Sequence, residues 1–124
     1  MAFPATYNFN YYMGDTHEFK VYPKDASGAE FPLSQYSSVK FTIAERRGTL
    51  LSTDDPPVDA YAVFSNDRSH VSCAITPANA VNLDPSKSYV FDVKISKSSS
   101  PYDSVFTLLT GNITIQNQVI PAEA

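Results

Sequence analysis

The residues able to do chemistry in this chain are two histidines, His17 and His70, a single cysteine, Cys73, and a short run of carboxylates, Asp54, Asp55 and Asp59. A nucleophilic centre needs a thiol or hydroxyl beside a base that a third group orients. His70 and Cys73 stand three apart in a run that reads as a strand, and odd spacing on a strand sends side chains to opposite faces. That separates the pair rather than joining it. Neither histidine lies in an HExxH helix, beside a nucleophile elbow or next to a glycine-rich phosphate loop. A lone strand histidine is far more often a surface or packing residue than a general base. The acidic run offers oxygen ligands, but Ca²⁺ takes about six to eight of them and the D-x-D-x-D-G spacing is missing. With Pro56 and Pro57 inside it, the run reads as a solvated acidic loop. Asp25, Asp84, Asp92 and Asp103 are scattered and read as turn or strand-exterior residues. No catalytic residue, metal or cofactor is expected.

The eight tyrosines carry a binding reading. Their rings suit half-exposed contacts, because one end is apolar and the other polar. Tyr7, Tyr11, Tyr12, Tyr61 and Tyr102 are candidate platforms for sugar rings, whereas Tyr36 and Tyr89 read as core. For Tyr7, Tyr11 and Tyr12 there is a third reading, contact with neighbouring subunits. Phe3-Pro4 leads into Tyr7, Phe9 and Tyr11, which alternate with Asn8 and Asn10. Residues 1–12 therefore form an expected docking arm at a sheet edge, where unpaired backbone is a template for strand addition. Aromatic residues are also enriched in interface cores. The expected interface set is Phe3, Tyr7, Phe9, Tyr11, Tyr12, Tyr61 and Tyr102.

The elements that position these residues are strands. Phe19 and Val21 share one face of Thr16–Tyr22, opposite Glu18 and Lys20, and Val39, Phe41 and Ile43 share one face of Ser38–Ala44. Such period-two alternation marks strands with one face buried and one wet. Further strands are expected at Thr6–Tyr12, Tyr61–Phe64, His70–Ile75, Tyr89–Ile95 and about Ser104–Ile115. Gly14-Asp15, Asp25–Gly28, Arg46–Gly48, Asn66-Asp67 and Ser98–Pro101 punctuate them, and Phe31–Tyr36 reads as a corner. Pro77–Asp84 has room for one helical turn. In the last strand the apolar parity switches, from Phe106 and Leu108 to Ile113 and Ile115, so a β-bulge or bend is expected at Gly111. Cys73, in the run Val71, Cys73, Ile75, reads as a small inward-facing apolar residue.

Bulk composition agrees with this picture. The 124 residues fit one domain, 1–124, with the arm 1–12 and a short tail 121–124. Hydrophobic residues make up 43%, enough for a core, while 18% charged residues and nine prolines disfavour a helical protein. The formal charge of −4 and one adjacent basic pair, Arg46-Arg47, argue against binding a phosphate backbone. No signal peptide and no apolar run of about 20 residues is visible, so the expected product is soluble and made in the cytosol. The expected fold is all-β, an Ig-like antiparallel β-sandwich of about seven or eight strands.

The order Gly14-Asp15-Thr16, Phe19-x-Val21, Lys24-Asp25-x-x-Gly28, Pro32-Leu33-Ser34-x-Tyr36, Val39-Lys40-Phe41-Thr42-Ile43 resembles the N-terminal β-sandwich of phage upper-baseplate proteins. It is similar also to the small tail-associated β-sandwich proteins of actinobacterial siphophages. Leu83–Val93 and Leu109–Ile115 fit the same pattern, so the similarity spans nearly the whole chain. These motifs mark a scaffold, and unrelated Ig-like domains carry similar ones. The resemblance implies a virion component that assembles with copies of itself and other phage structural proteins. The long receptor-holding region of baseplate proteins has no counterpart in this sequence.

The leading expectation is thus a non-enzymatic structural protein of a tailed bacteriophage particle, a minor tail, tail-tip or baseplate-associated assembly protein located in the virion. One alternative is a capsid decoration protein of the same fold. Another, from a different class, is a host-surface carbohydrate-binding module, which requires tyrosines clustered on one exposed face. Nucleic acid, membrane and small-molecule substrates are not expected as partners, and a hydrolase ranks last for want of a paired acid, base or nucleophile.

Overall fold

The computed structural model describes residues 5–24, 27–45, 58–98 and 100–116. They form β1 (Ala5–Thr6), β2 (Phe9–Tyr12), β3 (His17–Val21), β4 (Ser38–Ala44), β5 (Val58–Phe64), β6 (Val71–Ile75), α1 (Pro77–Ala80), β7 (Ser88–Lys97) and β8 (Ser104–Gln116). The protein is all-β, one curled eight-stranded ladder in the order β1-β8-β7-β4-β5-β6-β3, with β2 also on β8. The acidic loop at Asp54-Asp55, the Asp25 turn, Phe3 and the tail 121–124 lie outside the described residues.

The curl originates in β5. Val58, Asp59 and Ala60 pair with β4, whereas Tyr61 to Phe64 pair with β6. One strand thereby serves two groups of neighbours, the way a strand turns a corner between packed layers. Phe19 on β3 consequently faces back across the core. Its ring lies 5.9 Å from Phe9, 5.4 Å from Phe41 and 6.1 Å from Phe91. The buried face follows the alternation read from sequence: Phe41 and Ile43 on β4, Phe91, Val93 and Ile95 on β7, Val71, Cys73 and Ile75 on β6. Burying each large apolar side chain contributes about 1.5–3 kcal/mol.

Three features differ from expectation. Pairings among β3 to β8 are antiparallel, as expected, but β1 and β2 lie parallel to β8. The expected single strand over Thr6–Tyr12 is also interrupted at Tyr7-Asn8. The irregularity in β8 falls at Leu108, not Gly111: Val93 pairs with Leu109 but Lys94 with Thr107. Leu108 is the extra residue, and both it and Leu109 are buried, which accounts for the parity switch. Gly111 has another role. A β-carbon there would fall on the Tyr7 carbonyl oxygen and within 2.9 Å of the Phe91 ring. Only glycine lets the N-terminal backbone approach so closely.

The motifs of the sequence do scaffold work. Leu33 and Tyr36 are buried around a turn closed by the Tyr36 N–H donating to the Leu33 carbonyl at 3.0 Å. The Asp84 N–H donates to the Tyr89 hydroxyl at 2.8 Å, which ties the Leu83 loop to β7. Thr76 caps α1: the Asn79 N–H donates to its hydroxyl and its own N–H donates to the Asn79 carboxamide, beside Pro77 at the first helical position.

Candidate functional site

Among the described residues, the chemically capable side chains do not converge. Cys73 is sealed inside, registered opposite Phe19, and burial pushes its thiol up to about 12. A neutral buried thiol is a poor nucleophile. The His70 ring packs instead against the exposed ring of Tyr22, centroids 4.8 Å apart, with the Ser69 hydroxyl 3.1 Å from Nδ1. Asp67 accepts from the Ser65 hydroxyl and from both the N–H and hydroxyl of Ser69, and these bonds hold it down at about 2. Asp84 is lowered likewise by the backbone and hydroxyl of Ser86. Asp59 accepts from Thr42 at 2.8 Å. These carboxylates organise turns and cross-strand contacts. Among the described residues no group of three or more His, Cys, Asp or Glu side chains is placed to hold a metal ion.

Of the expected interface residues, Tyr7, Phe9 and Tyr11 turn toward the chain's own core. Tyr11 is 1% exposed and its hydroxyl donates to the Asp15 carbonyl at 2.7 Å. Tyr7 stacks on Phe9 at 5.0 Å, and its hydroxyl lies 3.2 Å from His17 Nε2. Phe9 stacks on His17 at 4.2 Å. The three rings therefore close the seam between β2 and β3, the two ends of the ladder. His17, half-buried in this cluster, has its protonation disfavoured by burial. Tyr12, Tyr61 and Tyr102 are exposed, on the end of β2, the middle of β5 and the β7–β8 connection respectively.

Tyr61 belongs to a larger surface. In the β5–β6–β3 register, Tyr61 pairs with Ala74 and Ala74 with Glu18, while Val63 pairs with Ser72 and Ser72 with Lys20. The next row holds Tyr22 and His70. Tyr61 is 53% and Tyr22 54% exposed, and Val63 is exposed between them in sequence rows. The outer side of β5–β6–β3 is thus a face with aromatic and apolar side chains, flanked by one acid and one base. The outer side of β4–β7–β8 is mostly polar by contrast, carrying Lys40, Thr42, Asp92, Lys94 and Thr110 in matched register, with Val105 exposed opposite Ser96 toward one end. Sequence reading passed over Tyr22 and Val63. The signal was present for Tyr22, which shares the parity of Glu18 and Lys20.

No known protein family and no curated protein sequence matches this chain. No helix among the described residues is long and apolar enough to cross a membrane.

Proposed function

We propose that this chain is a structural, assembling domain of a tailed bacteriophage particle, resident in the virion and packing against copies of itself and other phage structural proteins. The observation that carries the assembly part is the face bearing Tyr22, Val63 and Tyr61, two aromatic rings and an aliphatic side chain on one side of the domain, whose other outer face is mostly polar. Exposed aromatic residues of this kind supply interface cores. The phage part is supported by the resemblance, whose residues here have scaffold roles: Leu33 and Tyr36 in the corner, Tyr89 in the loop tie, Phe41 and Phe91 in the core. The curled ladder with β5 turning its corner is compatible with an Ig-like sandwich, the fold we infer. The dispersal of His17, His70 and Cys73 supports a non-enzymatic role.

Fractionating purified particles into heads and tails tests this reading. The protein is expected in tails in multiple copies, and a Tyr22→Ser/Tyr61→Ser variant is expected to fold normally but to incorporate poorly. Recovery in heads alone turns the reading to capsid decoration. Absence from both fractions overturns it. The exposure of Tyr61 and of Tyr102, the latter at 74%, keeps one second reading in play. Binding to host cell-wall glycans that is lost in Tyr61→Ala or Tyr102→Ala would make the domain a carbohydrate-binding module instead.

A further inference from the structure

The first two strands sit in an unusual relation to the rest of the molecule. β2 leads into β3 through only residues 13–16, yet in the described ladder β2 is paired to β8 and not to β3. Its register partners lie about a hundred positions away: Phe9 with Ile113, Asn10 with Thr114, Tyr11 with Ile115 and Tyr12 with Gln116. The attachment extends on both sides. The Tyr7 N–H donates to the Thr110 carbonyl at 2.9 Å, the Met13 N–H to the Gln116 carbonyl at 2.9 Å, and the Asn112 N–H to the Asn8 side chain at 2.9 Å. Tyr11 fills a fully buried position, and Gly111 is bare to admit the Tyr7 carbonyl. The edge of β8 from Leu109 to Gln116 is therefore a shaped acceptor for an extended aromatic strand in parallel orientation.

We propose that this acceptor also takes the β1–β2 segment of a second copy of the chain, so that copies link by strand exchange. The backbone bonds that the segment makes with β8 and its ring contacts with β3 and the core recur unchanged between copies. Only the connection 13–16 differs, where Gly14 at φ 88° and the Asp15 N–H donating to the Tyr12 carbonyl make the present bend. An exchange that conserves its contacts is governed by concentration and by the strain of the hinge, which is the general logic of domain swapping. Parallel pairing is slightly less stable per residue than antiparallel pairing, which eases release. The contact also pairs residues about a hundred positions apart, so its loop is costly to close and it docks late in folding. At that stage a neighbour's segment competes with the chain's own. The inference stands apart from the virion assignment, since exchange is a property of the purified chain.

Cysteine pairing distinguishes the two arrangements. Asn10 and Thr114 are exposed register partners, within the Cα separation that a disulfide bridges. Cys73 is buried and does not compete. Full-length Asn10→Cys and Thr114→Cys single variants are mixed, both as folded proteins and by refolding together, then oxidised, and the linked peptides are identified by mass. Exchange predicts a 10-to-114 linkage between chains whose yield rises at least several-fold over a tenfold increase in concentration. The double variant should shift from an intrachain to an interchain bond over the same range. A strictly intrachain bond in the double variant, with no 10-to-114 linkage in either mixture, overturns the proposal. If either variant loses its strand spectrum, Tyr12→Cys with Gln116→Cys, the next exposed register pair, gives the same test.

Discussion

The His17 ring lies flat on the Phe9 ring, centroids 4.2 Å apart and planes 12° apart. One residue begins β3, which ends the ladder path on one side, and the other begins β2, which lies beside β1 on β8 at the other. Aromatic stacking thus does, at this seam, what backbone pairing does elsewhere. Such ring pairs contribute about 0.5–1.5 kcal/mol beyond their buried area.

Acid should weaken that seam. Burial lowers the His17 pKa from its ordinary 6.5, so between the folded and unfolded values the unfolded chain binds a proton that the native chain does not. Stability then rises with pH through this window. Its contribution is complete above about pH 7.5 and is lost as pH falls through the unfolded value toward the folded one. Urea midpoints at pH 5 and pH 7.5 should show this increment in the wild type. His17→Phe, which keeps a ring in the stack, should lack it.

Gly111 and Gly28 should respond differently to the same substitution. Gly111→Ala places a methyl group on the Tyr7 carbonyl and should cost about 1–3 kcal/mol, with faster proteolytic cleavage within residues 5–12. Gly28 has open space around its missing β-carbon but a φ of 89°. Gly28→Ala should cost only about 1–2 kcal/mol, from backbone conformation alone, and leave the N-terminal segment protected. Denaturant titration with limited proteolysis reads both.

Cys73 should resist thiol reagents in the folded protein, because its thiol is sealed and shifted to about 12. Labelling at pH 8 should follow the unfolding rate and not the reagent concentration. Cys73→Ser buries a hydroxyl in the same place and should destabilise by about 1–3 kcal/mol in a urea titration.

Arg68 joins a turn to the corner. Its Nη1 donates to the Tyr36 carbonyl at 2.8 Å while the guanidinium sits 4.4 Å from the Phe64 ring centroid. Arg68→Ala should lose about 1.5–3 kcal/mol with the charged hydrogen bond. The residue also holds φ at 58°, a conformation glycine adopts freely. Arg68→Gly should therefore melt above Arg68→Ala, by roughly 1 kcal/mol in stability, as measured by thermal unfolding.

Much of the fold was legible because period-two alternation reports which face of a strand is greasy. That is why β4, β6 and β7 fall where Phe41, Cys73 and Phe91 placed them; the one turn of helix at Pro77–Ala80 rests on local signals, Thr76, Pro77 and Asn79. Alternation says nothing about which strand lies alongside, or in which direction. The parallel seat of β2 on β8 depends on Gly111, about a hundred positions from Tyr7, and on the extra residue at Leu108. The candidate interface divided on the same ground. Period two put Tyr7, Phe9 and Tyr11 on one face, but only the curl of the ladder turned that face inward and spread Tyr22, Val63 and Tyr61 over the outside. Sequence fixes the sidedness of each strand locally, through the backbone's own pleat; what each side meets is decided by long-range closure, where packing of the whole core outweighs any local preference.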